Sequence, residues 1–259
     1  MQRFANERQD KINELVEREG AVTTSRLVKI FGVSVETIRR DLVSMELDGR
    51  LTRVHGGAVK KGSMKEFRIL TERNSEHEEE KHNLSQKAVE FISDGDVIAI
   101  DSGSTAVSFA RELKDRFDRL TIITHSLDVF NVLCDREGYE LILCAGHFLK
   151  SENSFYGPLT LGMIDSLHMR KAFVFPSAVS LKHGVSDFQT ELYQVQKKLT
   201  QSADEVYILA DSSKFEQNGM LKLGDINSGY TYITDSRLPK DLQKLYEENG
   251  ITVYMGDEK

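Results

Sequence analysis

The chain is poor in cysteine, with only Cys134 and Cys144 among 259 residues and no Cys-x-x-Cys pair. That excludes a disulfide framework and a zinc site built on paired thiols. Both cysteines sit in apolar sequence and read as buried free thiols. No apolar run approaches the roughly 18 residues that span a bilayer. The opening Met-Gln-Arg-Phe-Ala-Asn-Glu-Arg lacks the apolar core of a secretory signal, so a cytoplasmic protein is expected. Neither Gly-x-Gly-x-x-Gly nor a Walker A sequence occurs, so no nucleotide is indicated and no cofactor is expected. The seven histidines are scattered. His77 and His82, five apart, are poorly spaced for one helical face, so no metal site is expected either. Tandem repeats and low-complexity segments are absent.

Positive charge is also scarce overall, since the net charge is −7. Its distribution is uneven. Residues 1–62 hold 12 Lys+Arg against 9 Asp+Glu, and the remainder holds 22 against 32. A slightly basic head on an acidic body suits a small nucleic-acid-binding domain joined to a soluble one. Such a modest basic surplus implies that affinity leans on specific contacts and oligomerisation as well as bulk charge. A composition of 39% hydrophobic and 29% charged residues fits a globular protein of one large or two modest domains.

The head carries a helix-turn-helix pattern. Asn6 to Arg18 reads as an amphipathic helix through Ile12, Leu15 and Val16, and Ser25 to Phe31 as a second, ended by Gly32. Ser34 is a good N-cap for a third helix, in which Val35, Ile38, Leu42 and Met45 recur at helical spacing as a packing face. Thr37, Arg40 and Ser44 fall on another face with Arg39 beside it, as expected of a helix lying in the major groove. Gly49 ends that helix. Leu51 to His55 alternates like a strand, Gly56-Gly57 turns, and Ala58-Val59 returns, a wing carrying Arg53 and His55. The expected DNA contacts are Ser34, Thr37, Arg39 and Arg40 in the major groove, with Arg53 and His55 on the backbone or minor groove. Residues 1–60 are read as the DNA-binding domain and 61–75 as a polar linker.

From residue 76 to 259 the pattern changes to apolar runs alternating with amphipathic helices, as in a doubly wound, mostly parallel α/β sheet. Strands are expected near 97–101, 120–124, 141–145, 172–175, 206–210, 230–233 and 251–254. Ligands of such sheets bind beyond the carboxyl ends of the strands. One strand end carries Asp101-Ser102-Gly103-Ser104-Thr105, where glycine, hydroxyls and the start of a helix suit a phosphate. Another carries Asp211-Ser212-Ser213-Lys214, an acceptor for a sugar hydroxyl and a cation for an anion. Glu191 opens a helix after a Gly184–Asp187 loop and is either a ligand contact or an acid complementing the helix dipole.

Thr37-Ile-Arg-Arg-Asp-Leu42 and Arg53-Val-His-Gly-Gly-Ala58 together resemble the DeoR family of bacterial transcription regulators. The resemblance continues through residues 94–105, through Leu209 to Phe215 and through Ile233-Thr234-Asp235. It implies a winged helix that binds double-stranded operator DNA, joined to a sensor of phosphorylated sugars with a fold akin to ribose-5-phosphate isomerase. It also implies a homo-oligomer, dimer or tetramer, and a repressor of sugar metabolism rather than an enzyme. Asp101, Ser102, Gly103, Ser104 and Thr105 are the implied effector contacts, with Asp211 and Lys214 opposite. The family's usual Thr-Asn is Thr124-His125 here, and its Gly-Gly is Ala145-Gly146 followed by His147. His125 and His147 are therefore either effector contacts or packing residues. Two other readings remain open: an isomerase-like enzyme with an appended DNA-binding domain, and a DNA-binding protein whose α/β domain only dimerises.

Overall fold

The computed structural model describes residues 2–19, 21–54, 57–60, 70–114, 116–227 and 229–257. The N-terminal part is α1 (Gln2–Glu19), β1 (Ala21–Thr23), α2 (Thr24–Phe31), α3 (Val35–Leu47), β2 (Leu51–Val54) and β3 (Gly57–Lys60). Gly32 takes the left-handed conformation that the turn between α2 and α3 requires, with φ 63°. The wing strands β2 and β3 pair antiparallel as expected. They gain a third strand, β1, which the sequence pattern did not signal because three residues show no periodicity. Ile12, Val16, Leu27, Ile38, Leu42, Met45 and Leu51 form the core.

Val35 does not join that core. It lies in the first turn of α3 and is exposed, and the inward position is taken instead by Asp41. The Arg8 guanidinium grips Asp41 with two bonds, Nε at 2.5 Å and Nη2 at 3.1 Å, and Gln9 adds a third at 3.3 Å. The carboxylate holds the Arg8 pKa above its ordinary value through the hydrogen bond. The acid of the Arg-Arg-Asp motif thus ties α1 to α3.

The second part opens with α4 (Leu70–Ser75) and α5 (Glu78–Ala88), then runs β4 (Val97–Ile100), α6 (Ser104–Leu113), β5 (Leu120–Thr124), α7 (Leu127–Leu133) and β6 (Tyr139–Leu143). A hairpin of β7 (His147–Leu149) and β8 (Ser154–Tyr156) precedes α8 (Pro158–Asp165) and β9 (Met169–Val174). Next come β10 (Ala178–Ser180), β11 (Gly184–Asp187), α9 (Thr190–Ser202), β12 (Ala203–Leu209), β13 (Leu221–Gly224), β14 (Tyr230–Thr234), α10 (Lys240–Glu248) and β15 (Val253–Met255). Three sequence readings are corrected here. Gly184–Asp187 is a strand of an antiparallel sheet ordered β10-β11-β13. The stretch read as linker includes α4, whose Leu70 is buried. Cys134 is exposed at the end of α7, whereas Cys144 is buried and burial pushes its thiol up to about 11.

The main sheet has seven parallel strands in the order β15-β14-β12-β9-β4-β5-β6. Side chains alternate between its faces. Ile98 and Ile100 meet α5, α6 and α7, while Ala99, Ala172 and Ile208 meet α8, α9 and α10. The chain winds outward from β4 to β6 and then returns to β9 on the other side of β4, so a topological switch point lies between β4 and β9. Among the described residues, no helix is long and apolar enough to cross a membrane.

Asp41→Ala should cost about 1.5–3 kcal/mol, the range for hydrogen bonds to a charged group. Arg8→Ala should cost a similar amount in urea unfolding, and the double variant no more than the worse single. Losses that simply add would mean that the two residues do not act as one unit.

Candidate functional site

On the DNA-facing domain, Ser34 caps α3 by accepting from the Thr37 N–H at 3.2 Å. The Thr37 hydroxyl lies 2.9 Å from Ser34 Oγ and is half-buried, so Thr37 completes the cap rather than standing clear of the helix. Arg39 and Arg40 are exposed. Arg53 is exposed and held to α3, because its N–H donates to Glu46 Oε1 at 2.8 Å and its guanidinium lies 3.5 Å from Oε2. His55 lies outside the described residues.

In the α/β domain the switch point is built around Asp101 at the end of β4. Asp101 has no exposed surface. One carboxylate oxygen meets His125 Nε2 at 2.9 Å. The other accepts from the Phe175 N–H at 3.3 Å and from Gln196 Nε2 at 3.1 Å. The opposite ring nitrogen of His125 lies 2.9 Å from the Phe155 carbonyl. Both partners are acceptors, so the two bonds are complete when each ring nitrogen carries hydrogen. Gln196 also donates to Asp187 at 3.0 Å, and Asp187 accepts from Ser177 at 2.9 Å. Asp101 and His125 are therefore fully engaged with protein and position the loops. They do not present free groups to a ligand.

The loop that Asp101 anchors is different. Gly103 has φ 117°, a conformation that side chains disfavour, and open space where a Cβ would stand. No side chain caps α6, which begins at Ser104. Ser102 is buried and its Oγ has no hydrogen-bond partner. An uncapped helix start beside an unpartnered hydroxyl suits an anion.

Two strands along, the loop after β12 holds Asp211, which accepts from Ser213. Asp235, of the Ile-Thr-Asp motif, braces this loop by accepting from the Ser212 N–H at 2.6 Å and its hydroxyl at 3.0 Å. Only β9 separates β4 from β12, so at strand spacing the two loops stand about 10 Å apart. His147 is exposed on β7 and packs edge-on against Tyr156, with 5.7 Å between ring centroids. Glu191 accepts from the Thr190 hydroxyl at 2.9 Å in the first turn of α9.

The structure adds residues that sequence reasoning missed. Lys81, buried on α5, donates to the carbonyls of Arg73 and Glu76, the latter at 2.5 Å. Burial lowers its pKa to about 8, and the charges acting on it belong to Asp211, Lys214, Arg73 and Glu80. Arg73 also pairs with buried Glu152, whose second oxygen accepts from Gln189 at 3.2 Å. Burial holds the Glu152 carboxyl above its ordinary range. A signal for Lys81 was present, since Lys81, Leu84 and Ala88 share the spacing of the buried face of α5. Gln196 likewise interrupts the stripe of Leu192, Val195 and Leu199. Among the described residues, no cluster of His, Cys, Asp and Glu could hold a metal ion.

Gln196→Leu removes the shared donor between two buried carboxylates. It should cost about 1.5–3 kcal/mol, read as faster hydrogen exchange in β4 and β11. Unchanged exchange there would show that the bridge contributes nothing.

Known proteins place this architecture. The DeoR-like helix-turn-helix domain model matches residues 8–63, and the DeoR C terminal sensor domain model matches residues 76–236. A lactose phosphotransferase system repressor of Lactococcus lactis subsp. lactis is 32% identical over 241 residues, covering 92% of this chain and 94% of that protein. The HTH-type transcriptional regulator IolR of Bacillus subtilis is 29% identical over 247 residues, covering 95% and 97%. An L-fucose operon activator of Haemophilus influenzae is 29% identical over 246 residues, covering 95% and 98%. Among solved structures, ribose 5-phosphate isomerase A of Methanocaldococcus jannaschii aligns with a TM-score of 0.41 at 22% identity, over 54% of this chain and 55% of that one. The chain belongs to the DeoR family of transcriptional regulators, with a DNA-binding helix-turn-helix domain followed by the family's sensor domain.

Proposed function

We propose that this regulator is a cytoplasmic repressor of a sugar-metabolism operon. In this reading it binds operator DNA as a homo-oligomer through Ser34, Arg39, Arg40, Arg53 and His55. A phosphorylated sugar bound at the carboxyl ends of β4, β9 and β12 controls that binding without being turned over. The observation that carries the sensor assignment is the uncapped start of α6 beside the unpartnered Ser102 hydroxyl. The phosphate sits there, on Ser102, Gly103, Ser104 and Thr105, and Lys214 and Lys81 add positive charge from the β12 side. Asp211 accepts from a sugar hydroxyl, and Asp101 with His125 keeps the loop in place. The names of the relatives, a lactose phosphotransferase system repressor and an L-fucose operon activator, support control by sugars.

Helix α4 offers a route from effector to DNA, because it follows the segment read as linker. Lys81 bonds the Arg73 carbonyl within this helix and the Glu76 carbonyl just past its end. Its Arg73 is anchored on Glu152, and the Leu70 N–H reaches the Ser151 carbonyl at 3.4 Å. An anion that attracts the Lys81 ammonium competes with those carbonyls and so alters the hold on α4. Such a ligand acts as a switch only if it binds the two arrangements with different affinity.

The test is a thermal-shift panel on the full chain with phosphorylated and unphosphorylated sugars. One phosphorylated sugar should stabilise it, by about 2.7 kcal/mol at a hundredfold excess over Kd. Lys214→Ala should abolish the effect. A flat panel overturns the sugar-phosphate reading and leaves DNA binding intact.

Affinity for that sugar should also depend on pH. An anion favours the charged form of Lys81, which loses its proton at about 8 in the free protein. Calorimetry should find binding steady near pH 7 and weaker by up to about tenfold per unit above pH 8. In Lys81→Gln the profile should be flat over that range.

A further inference from the structure

Helix α3 buries Ile38, Leu42 and Met45. At 100° per residue, Glu36, Arg40, Val43 and Leu47 then occupy the opposite, outward side, with Arg39 at its edge. All five are exposed. An acid thus stands at the centre of the face meant for a polyanion, one turn from an arginine. The Glu36 carboxylate lies 3.6 Å from Arg40 Nε, and the two side chains are 62% and 81% exposed. The guanidinium is largely exposed and keeps N–H donors beyond those that the Glu36 contact at Nε can engage.

An acid there repels phosphates unless the DNA supplies a donor for it. The major-groove edge of a C·G pair supplies one. Cytosine N4 donates, and beside it guanine N7 and O6 accept. Carboxylates accept from cytosine N4, and a guanidinium fork donates to guanine. Glu36 and Arg40, held together on one helical turn, match both halves of that edge. We propose that Glu36 and Arg40 read a single C·G base pair as one unit, making Glu36 a specificity-determining residue of this regulator. The proposal rests on the reading that α3 enters the major groove. The bland role for Glu36, an acid complementing the N-terminal dipole of α3, predicts something different: its removal relieves repulsion equally on every sequence.

The experiment selects binders from a randomised duplex library with the full chain, its Glu36→Ala and Arg40→Ala variants, and the double variant. Both residues are exposed, so folding is not at stake, and circular dichroism verifies it. The wild type should require C·G at one position of each half-site, by roughly 5- to 150-fold over other pairs. Each single variant should lose that preference at the same position, and the double variant should lose no more than either. The proposal fails if Glu36→Ala tightens binding to all sequences alike and leaves the selected motif unchanged. It also fails if the two single variants relax different positions. If the wild type recovers no motif at all, the major-groove placement of α3 falls with it, whereas a motif that survives in Glu36→Ala and collapses in Arg40→Ala removes this proposal alone.

Discussion

The sensor domain depends on how Asp101 is satisfied. A parallel sheet that reverses its winding direction leaves a crevice beyond the carboxyl ends of β4 and β9, where the strands stop and a backbone group such as the Phe175 N–H turns to a side chain for its partner. Asp101 fills that role with one buried carboxylate. It draws in β5 through His125, the end of β9 through Phe175, and α9 through Gln196. The bridge continues to Asp187 and the small antiparallel sheet. Burying a charge is costly unless it is fully bonded, and here every bond comes from a different element. The loop of Ser102 and Gly103 can therefore remain open and uncapped without losing its position.

Ionic groups divide the same way in the DNA-binding domain. Arg-Arg-Asp in α3 looks like one motif but serves two functions. Asp41 points inward and fixes α3 against α1, while Arg39 and Arg40 point outward. The outward pair can present a defined surface because the inward one removes rotational freedom from the helix. Near the loop after β12, Lys81 stands between the two cases. It is buried and bonded like a structural residue, yet close enough to Asp211 and Lys214 for their charges to act on it.

Much of this was legible in the sequence because it is local. Helical periodicity, Ser34 as cap and Gly32 at positive φ determine the helix-turn-helix within residues 24–47. The parallel strands announce themselves as apolar runs, though the run at Leu141–Ala145 starts two residues after β6 does, because Tyr139 and Glu140, which open this edge strand, do not extend the apolar run. The site was legible only in part. Gly103 and Ser102 mark the proposed anion loop within a five-residue window. Arg73 with Glu152, Asp101 with Gln196, and Lys81 near Asp211 join positions 79 to 130 residues apart, and no local pattern encodes such pairings. The short strands β10 and β11 give no signal of their own, because three or four residues show no periodicity, and the pairing of β11 with β13 joins positions more than thirty residues apart. Val35 misled because spacing alone marked it as core. It opens α3 and stays exposed there.

Glu46 carries a consequence for how an operator is sensed. By holding both the backbone and the guanidinium of Arg53 it fastens the wing to the recognition helix. In the proposed DNA-bound arrangement, with α3 in the major groove and Arg53 on the backbone, the two elements then act as one caliper instead of two independent probes. A caliper of fixed span measures the distance from groove floor to phosphate ridge, so a duplex whose groove is too wide or too narrow mismatches the wing even where its bases are correct. Groove width, a property of base steps the protein never touches, is in this way converted into part of the recognised sequence.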